Sequence, residues 1–292
     1  MGLGEANSFV ALGAADGTFG PMTPNAGLSA LTPQGGGWTS NDRYPRFLVD
    51  VNGDKNLDVV GFGEEHAFVA LGDGKGNFGQ LNAIVGLDGF TAKGGGWVSN
   101  DVFPRMFGDV DGDGRLDIIG YGWEKVWVSL GNGDGTFQAM KGVVGNFTAG
   151  AGGWVNSNTY PRLVADMNGD GMADLVGFGE AGVYVALATG GGNFAAPKMV
   201  FDNFGHGMSG GGWATNDLYV RLVGDLNGDG LPDFVGIGEA GVYDVLAFVD
   251  KIANVIGGAY NDQLSGDNGV NIITGGGGAD TLTGLGGADT FV

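Results

Sequence analysis

The sequence predicts an all-β protein, a β-propeller of four-stranded blades in about four to five repeats of roughly 58 residues, with a short parallel β-roll after it. Three observations carry this. Gly-Gly-Trp recurs with Trp38, Trp97, Trp154 and Trp213, spaced 59, 57 and 59 residues apart, and an Arg follows each Trp at the eighth residue (Arg46, Arg105, Arg162, Arg221). The apolar runs inside each repeat are short, rich in β-branched and aromatic side chains, and bounded by Gly, Asp and Asn without helical period. From about residue 252 the period changes to nine.

Composition agrees. In 292 residues, 43% are apolar, enough for a core, and 64 are Gly without the three-residue period of collagen, which indicates many tight turns between short strands. The net charge of −20 opposes binding to nucleic-acid phosphates or anionic lipid surfaces. Absence of Cys removes disulfides, thiolate nucleophiles and zinc–thiolate sites. No apolar run approaches the length that spans a bilayer, and the first residues carry neither a basic region nor an apolar stretch of a cleaved signal peptide.

In chain order, residues 1–34 read as the back half of a repeat: Gly2-Leu-Gly4 matches Gly61-Phe-Gly63, and Phe9–Leu12 matches Phe68–Leu71. Units 35–93, 94–150 and 151–209 follow, and 210–250 supplies a front half that runs on through Val235–Gly238. A blade split between the termini is one way to close a ring and remove exposed edges. A ring of four or five blades, a homo-oligomer completing a larger ring, and a fragment of a longer chain all fit this count. Residues 251–292 form the nine-residue blocks, starting at Gly257, Gly266, Gly275 and Gly284, with Asp262, Asp280 and Asp289 at sixth positions.

Each repeat carries one acidic loop: Asp50–Asp58, Asp109–Asp117, Asp166–Asp174 and Asp225–Asp233. Oxygen-bearing side chains recur at position 1 (Asp50, Asp109, Asp166, Asp225), position 3 (Asn52, Asp111, Asn168, Asn227), position 5 (Asp54, Asp113, Asp170, Asp229) and position 9 (Asp58, Asp117, Asp174, Asp233). Position 7 (Asn56, Arg115, Met172, Leu231) is counted in the same set. Convergent hard oxygens suit calcium. An EF-hand is excluded, because position 12 is Gly61, Gly120, Gly177 or Gly236 rather than Glu, and the apolar residues after position 9 read as strands rather than helices. The second loop, with carboxylates at all four oxygen positions, is expected to bind calcium most tightly. The first, with Lys55 where the others have Gly, is expected to bind most weakly.

The segments from Trp to Arg combine an aromatic face, an amide and a guanidinium, a mixture that suits carbohydrate: Trp38, Asn41, Tyr44, Arg46; Trp97, Asn100, Arg105; Trp154, Tyr160, Arg162; and Trp213, Asn216, Tyr219, Arg221. Packing between blades, with each Arg paired to a loop carboxylate, is the competing reading. His66 and His206 fall at non-equivalent places with no catalytic order around them, so no enzyme is expected.

The order Gly-Gly-Trp, Arg, Asp-x-Asn-Gly-Asp, Val-Gly-Phe-Gly, Val-Tyr-Val-Ala-Leu and Gly-x-Phe, seen between Gly152 and Phe194, resembles calcium-binding FG-GAP/VCBS propeller repeats, in particular the Psathyrella velutina lectin type. This resemblance implies calcium and pockets between blades for N-acetylglucosamine-like sugars or cell-surface glycans. The nine-residue blocks resemble RTX repeats, which implies further calcium between the turns of a roll and placement outside the cell, secreted by type I export without an N-terminal signal peptide or held at the cell surface. The expected function is a secreted calcium-stabilised lectin-like or adhesive module. A purely structural spacer and a non-catalytic fragment of a larger exported hydrolase stay open.

Overall fold

The computed structural model describes residues 1–246, 254–265, 271–284 and 288–292. The expected boundary at 250/251 and residues 266–270, the start of the block at Gly266, lie outside the described residues. The chain divides into two compact units, residues 1–223 with 236–243 and residues 224–235 with 244–292.

Three complete blades follow one plan. Blade 1 has strands Arg46–Val49, Asp58–Phe62, Ala67–Ala70 and Asn82–Ala83; blade 2 has Arg105–Gly108, Asp117–Tyr121, Val126–Ser129 and Lys141–Val144; blade 3 has Arg162–Ala165, Asp174–Phe178, Val183–Ala186 and Lys198–Phe201. Each is an antiparallel sheet in sequence order. The repeat holds the register constant: Arg46 faces Gly61, Arg105 faces Gly120, and Arg162 faces Gly177. The second strand of each blade is buried along its whole length, so after its leading Asp it reads as a continuous apolar run rather than an alternation.

Flanking these blades are two three-stranded sheets. The N-terminal one has strands Gly2–Leu3, Ser8–Val10 and Thr23–Asn25, and the last has Val220–Gly224, Asp233–Gly238 and Gly241–Val245. They are separate sheets, so among the described residues no blade is shared between the two ends and no sheet is closed. On the last sheet, Ile237 and Val242 are 43% and 66% exposed, whereas their counterparts Phe178 and Val183 in blade 3 are fully buried.

The packing explains the motif. Phe62, Phe90, Trp97 and Ile118 share one apolar cluster between blades 1 and 2, and Tyr121, Phe147, Trp154 and Leu175 share the next. Each Trp lies over the Gly at position 12, three residues past the acidic loop. A Cβ on Gly61, Gly120, Gly177 or Gly236 would stand 2.7, 2.5, 2.5 or 2.4 Å from the indole of its own repeat. Position 12 is therefore Gly because an indole packs on it.

Two single turns of α-helix, Pro33–Gly36 and Ala92–Gly95, precede Trp38 and Trp97, which the absence of helical period did not predict. Thr32 and Thr91 cap them by accepting the N–H of Gly35 and Gly94, and Gly37 and Gly96 end them at φ of 77° and 79°. Such turns are too short to leave a periodic signal.

In the second unit, Asn254–Ile256 pairs parallel with Ile272–Thr274, which pairs with Thr290–Phe291, while Gln263–Ser265 pairs parallel with Thr281–Thr283. Every pairing joins residues eighteen apart, so two nine-residue blocks make one turn of a two-sheet parallel roll.

Candidate calcium and ligand sites

Each acidic loop is wound around its first Asp. Asp109 accepts the N–H of Gly112 on Oδ1 and of Gly114 on Oδ2, both at 2.7 Å. The same pair of bonds holds Gly53 and Lys55 to Asp50, Gly169 and Gly171 to Asp166, and Gly228 and Gly230 to Asp225. The carboxylate at position 5 accepts the N–H of position 7: Asp54 from Asn56, Asp113 from Arg115, Asp170 from Met172 and Asp229 from Leu231. Where position 3 is an amide, Asn52, Asn168 and Asn227 donate to Asp54, Asp170 and Asp229.

Position 9 has a structural role that spacing alone did not show. Asp117 is fully buried and accepts the N–H of Val110 on Oδ2 and of Gly131 on Oδ1, both at 2.8 Å, so it ties the loop entry to the turn after the third strand. Asp58 does the same for Val51 and Gly72, and Asp174 for Met167 and Ala188; Asp233 accepts from Leu226.

The residues fit calcium best in the second loop, where Asp109, Asp111 and Asp117 each place an oxygen within 4.8 Å of the others. Electrostatics show what a cation would relieve. Burial pushes Asp117 and Asp174 up to about 6 and raises Asp58, in each case against the opposing pull of backbone N–H groups. Burial, then the neighbouring Asp113 charge, raises Asp111. At position 7, Arg115 turns its guanidinium to Asp113 and to the Gly131 carbonyl, so only a main-chain oxygen is common to Asn56, Arg115, Met172 and Leu231.

In the roll, Asp280 Oδ1 accepts the Asp262 N–H and Asp289 Oδ1 accepts the Asn271 N–H, linking successive turns. Asp262 Oδ2 accepts from Gly258. A Cβ on Gly284 would lie 2.0 Å from Asp289 Oδ2, which accounts for Gly at the first position of that block.

The Trp and Arg side chains of the predicted ligand segments are drawn into the packing. Trp38, Trp97, Trp154 and Trp213 are buried, as are Arg105, Arg162 and Arg221, while Arg46 is partly buried. The guanidiniums donate to main-chain carbonyls rather than to loop carboxylates: Arg46 to Leu31, Arg105 to Phe90, Arg162 to Phe147 and Asp101, Arg221 to Phe204 and Asn158. Each of three also stacks on an aromatic ring of the preceding blade: Arg105 on Phe62, Arg162 on Tyr121, and Arg221 on Phe178, at 5.4, 5.6 and 5.9 Å. Desolvation lowers Arg105 to about 9 and Arg162 and Arg221 to about 10.

Between Trp and Arg, the residue four after the Trp links neighbouring turns. Asp42 Oδ1 accepts the Asp101 N–H, Asp101 Oδ1 the Asn158 N–H, and Asn158 Oδ1 the Asp217 N–H, at 2.8, 3.1 and 2.8 Å. Asn41, Asn100 and Asn216 line a cleft of about 520 Å³ where these turns meet. Asn100 and Asn216 also hold the N–H of Arg105 and Arg221. Tyr44 and Tyr160 donate to Glu64 and Glu180, each at 2.8 Å, and Tyr219 packs edge-on against Trp213.

The predicted segments thus come together around the Arg contacts and this cleft. A second kind of cavity takes in the Trp alone of each segment. One of about 350 Å³ is lined by Trp38, Gly63, Glu64, Glu65, His66 and Phe68. One of about 500 Å³ is lined by Trp97, Gly122, Trp123, Glu124, Lys125 and Trp127. The two are the same pocket, displaced by 59 residues. Trp123 and Trp127 were missed by the sequence reading because neither belongs to the repeating tripeptide; a Trp at a position that is Glu64, Glu180 or Glu239 in other repeats was the available signal.

The chain carries FG-GAP-like repeats over residues 50–120 and 166–236 and the RTX calcium-binding nonapeptide repeat over 256–291. It is a calcium-binding repeat protein. It is similar to a lectin from Agrocybe aegerita, described by its specific recognition of non-reducing terminal N-acetylglucosamine, at 38% identity and a TM-score of 0.74 over 83% of this chain. The chain spans 58% of that lectin's length. A Photorhabdus luminescens Tc holotoxin pore shares the fold at 17% identity and a TM-score of 0.52, over 83% of this chain and 11% of its own. A search of curated proteins found no match. Among the described residues no helix is long and apolar enough to cross a membrane.

Proposed function

We propose that this chain is an exported carbohydrate-binding module whose blades are held in binding shape by calcium, and that it binds glycans ending in an N-acetylhexosamine without turning them over. The similarity to the Agrocybe aegerita lectin at 38% identity carries the reading. Two further observations support it. The pockets beside Trp38 and Trp97 recur at the repeat spacing and combine indole faces with a few polar groups, as sugar sites do. His66 and His206 each pair with an exposed carboxylate, Asp88 and Glu180, at separate places and without a nucleophile in the pair.

The calcium ligands are assigned to positions 1, 3, 5 and 9 of the four loops, with the main-chain oxygen of position 7, and to Asp262, Asp280 and Asp289 in the roll. The nonapeptide repeats support export, because calcium-poor cytoplasm would leave weak sites empty until the chain reaches millimolar calcium. The test is a glycan array probed with the protein in calcium and again in EDTA. Binding to N-acetylglucosamine-terminated glycans that disappears with the chelator is expected; no binding to any glycan in calcium contradicts the proposal.

A further inference from the structure

We infer that the repeat pockets are not equivalent, and that the pocket of blade 2 is the principal sugar site, with Trp123 as its stacking platform and the Trp97 indole N–H as its donor. This rests on the carbohydrate-binding reading above and adds which pocket and which residues realise it.

The first observation is a paired exchange. In blades 1 and 3 a Tyr donates to a Glu just past the second strand, Tyr44 to Glu64 and Tyr160 to Glu180. In blade 2 both partners change together, to Phe103 and Trp123, whose rings meet edge-on at 6.5 Å. Packing does not require the larger ring, because Trp123 is 62% exposed. Its carbonyl accepts the Gly150 N–H at 2.7 Å, so its backbone is fixed while its indole stands open. Trp127 and Met140 extend the apolar wall, in a cavity of about 500 Å³ that also holds Lys125 and Glu124.

The second observation concerns the buried indoles. In the last two repeats the N–H is consumed internally: Trp154 donates to Asn146 and Trp213 to Asn203, at 3.3 and 3.0 Å. The corresponding N–H of Trp97, a residue only 3% exposed that lines the blade 2 cavity, donates to no described residue. Trp38 likewise has no partner for its N–H among the described residues, but its cavity is smaller, about 350 Å³, and is lined by Glu64, which Arg43 and Tyr44 hold at 2.9 and 2.8 Å.

An open indole face beside a fixed, partnerless N–H matches a terminal N-acetylhexosamine. The apolar C–H face of the ring stacks on Trp123, and the acetamido carbonyl accepts from Trp97 Nε1.

The experiment titrates the full chain in calcium with N,N′-diacetylchitobiose, following affinity by calorimetry and the six indole N–H signals by NMR. Expected are shifts at Trp97 and Trp123, no shift at Trp154 and Trp213, and roughly tenfold weaker binding by Trp123→Glu, with Trp123→Tyr keeping most of the affinity. Glu is the residue that other repeats carry there, so the variant keeps the fold, which an unchanged calcium-bound melting curve checks. Wild-type affinity in Trp123→Glu, or shifts at Trp154 or Trp213 with Trp97 unmoved, overturns the assignment while leaving carbohydrate binding intact. No binding by the wild type overturns both.

Discussion

Lys55 shows at the scale of one residue how the repeat tolerates a local fault. Its φ is 68°, in the left-handed region, where the equivalent Gly114, Gly171 and Gly230 lie at 82°, 87° and 88°. A side chain there is strained, and Lys55 adds a positive charge to a loop proposed to hold a cation. Lys55→Gly is expected to raise stability by about 1 kcal/mol and to strengthen calcium binding at the first loop, read by denaturant unfolding and calcium titration. Unchanged values in both would show that the strain is relieved elsewhere. The oxygen pattern of these loops was legible in the sequence, since it depends only on local spacing. The burial of Asp58, Asp117 and Asp174 was not, because their second partners, Gly72, Gly131 and Ala188, lie fourteen residues away across a hairpin. For the same reason the partner of each Arg was not legible: a guanidinium that binds carbonyls of another turn leaves no trace in its own neighbours.

At the scale of the element, the second strand of each blade is the meeting point of clasp, indole and core. Blade 2 states it most fully, with Asp117 at the start of the strand and Gly120 under Trp97. A Cβ on Gly120 would lie 2.5 Å from both Phe90 and Trp97, so Gly120→Ala is expected to destabilise by roughly 1–3 kcal/mol. A matched Gly114→Ala, in an exposed loop at positive φ with open space around the added carbon, should cost less; the reverse order in urea unfolding would refute the packing account.

The clasp also sets a pH dependence. Burial raises Asp117 and Asp174 to about 6, above the unfolded value of about 3.9, so in the metal-free protein they favour folding below pH 4 and lose that contribution as pH rises through 6. In EDTA the melting temperature should therefore fall between pH 4 and 7, and Asp117→Asn should flatten the fall. The strands themselves were readable from their punctuation and β-branched content, whereas the single helical turns before Trp38 and Trp97 were not. Capping by Thr32 and Thr91 rather than periodicity forms them.

The whole molecule is a set of near-identical blades joined by a ladder of turn contacts, with a nine-residue roll in its second unit. Repetition made this architecture legible, because a period of about 58 residues admits few folds, and a period of nine in glycine-rich sequence admits fewer. Closure was not legible, and among the described residues the two three-stranded sheets are separate. What distinguishes one pocket from another lies in departures from the repeat, such as Trp123, and these become meaningful only when the cavity around them is known.

The net charge of −20, with much of it drawn into four loops and a roll, makes calcium central to the account. A site at a hundredfold excess over its dissociation constant adds roughly 2.7 kcal/mol, and several such sites rival the stability of an ordinary domain. Calorimetric melting of the full chain in millimolar calcium and in excess EDTA tests this most directly. The account predicts a fall of many degrees in EDTA, restored by calcium; superimposable curves would contradict it.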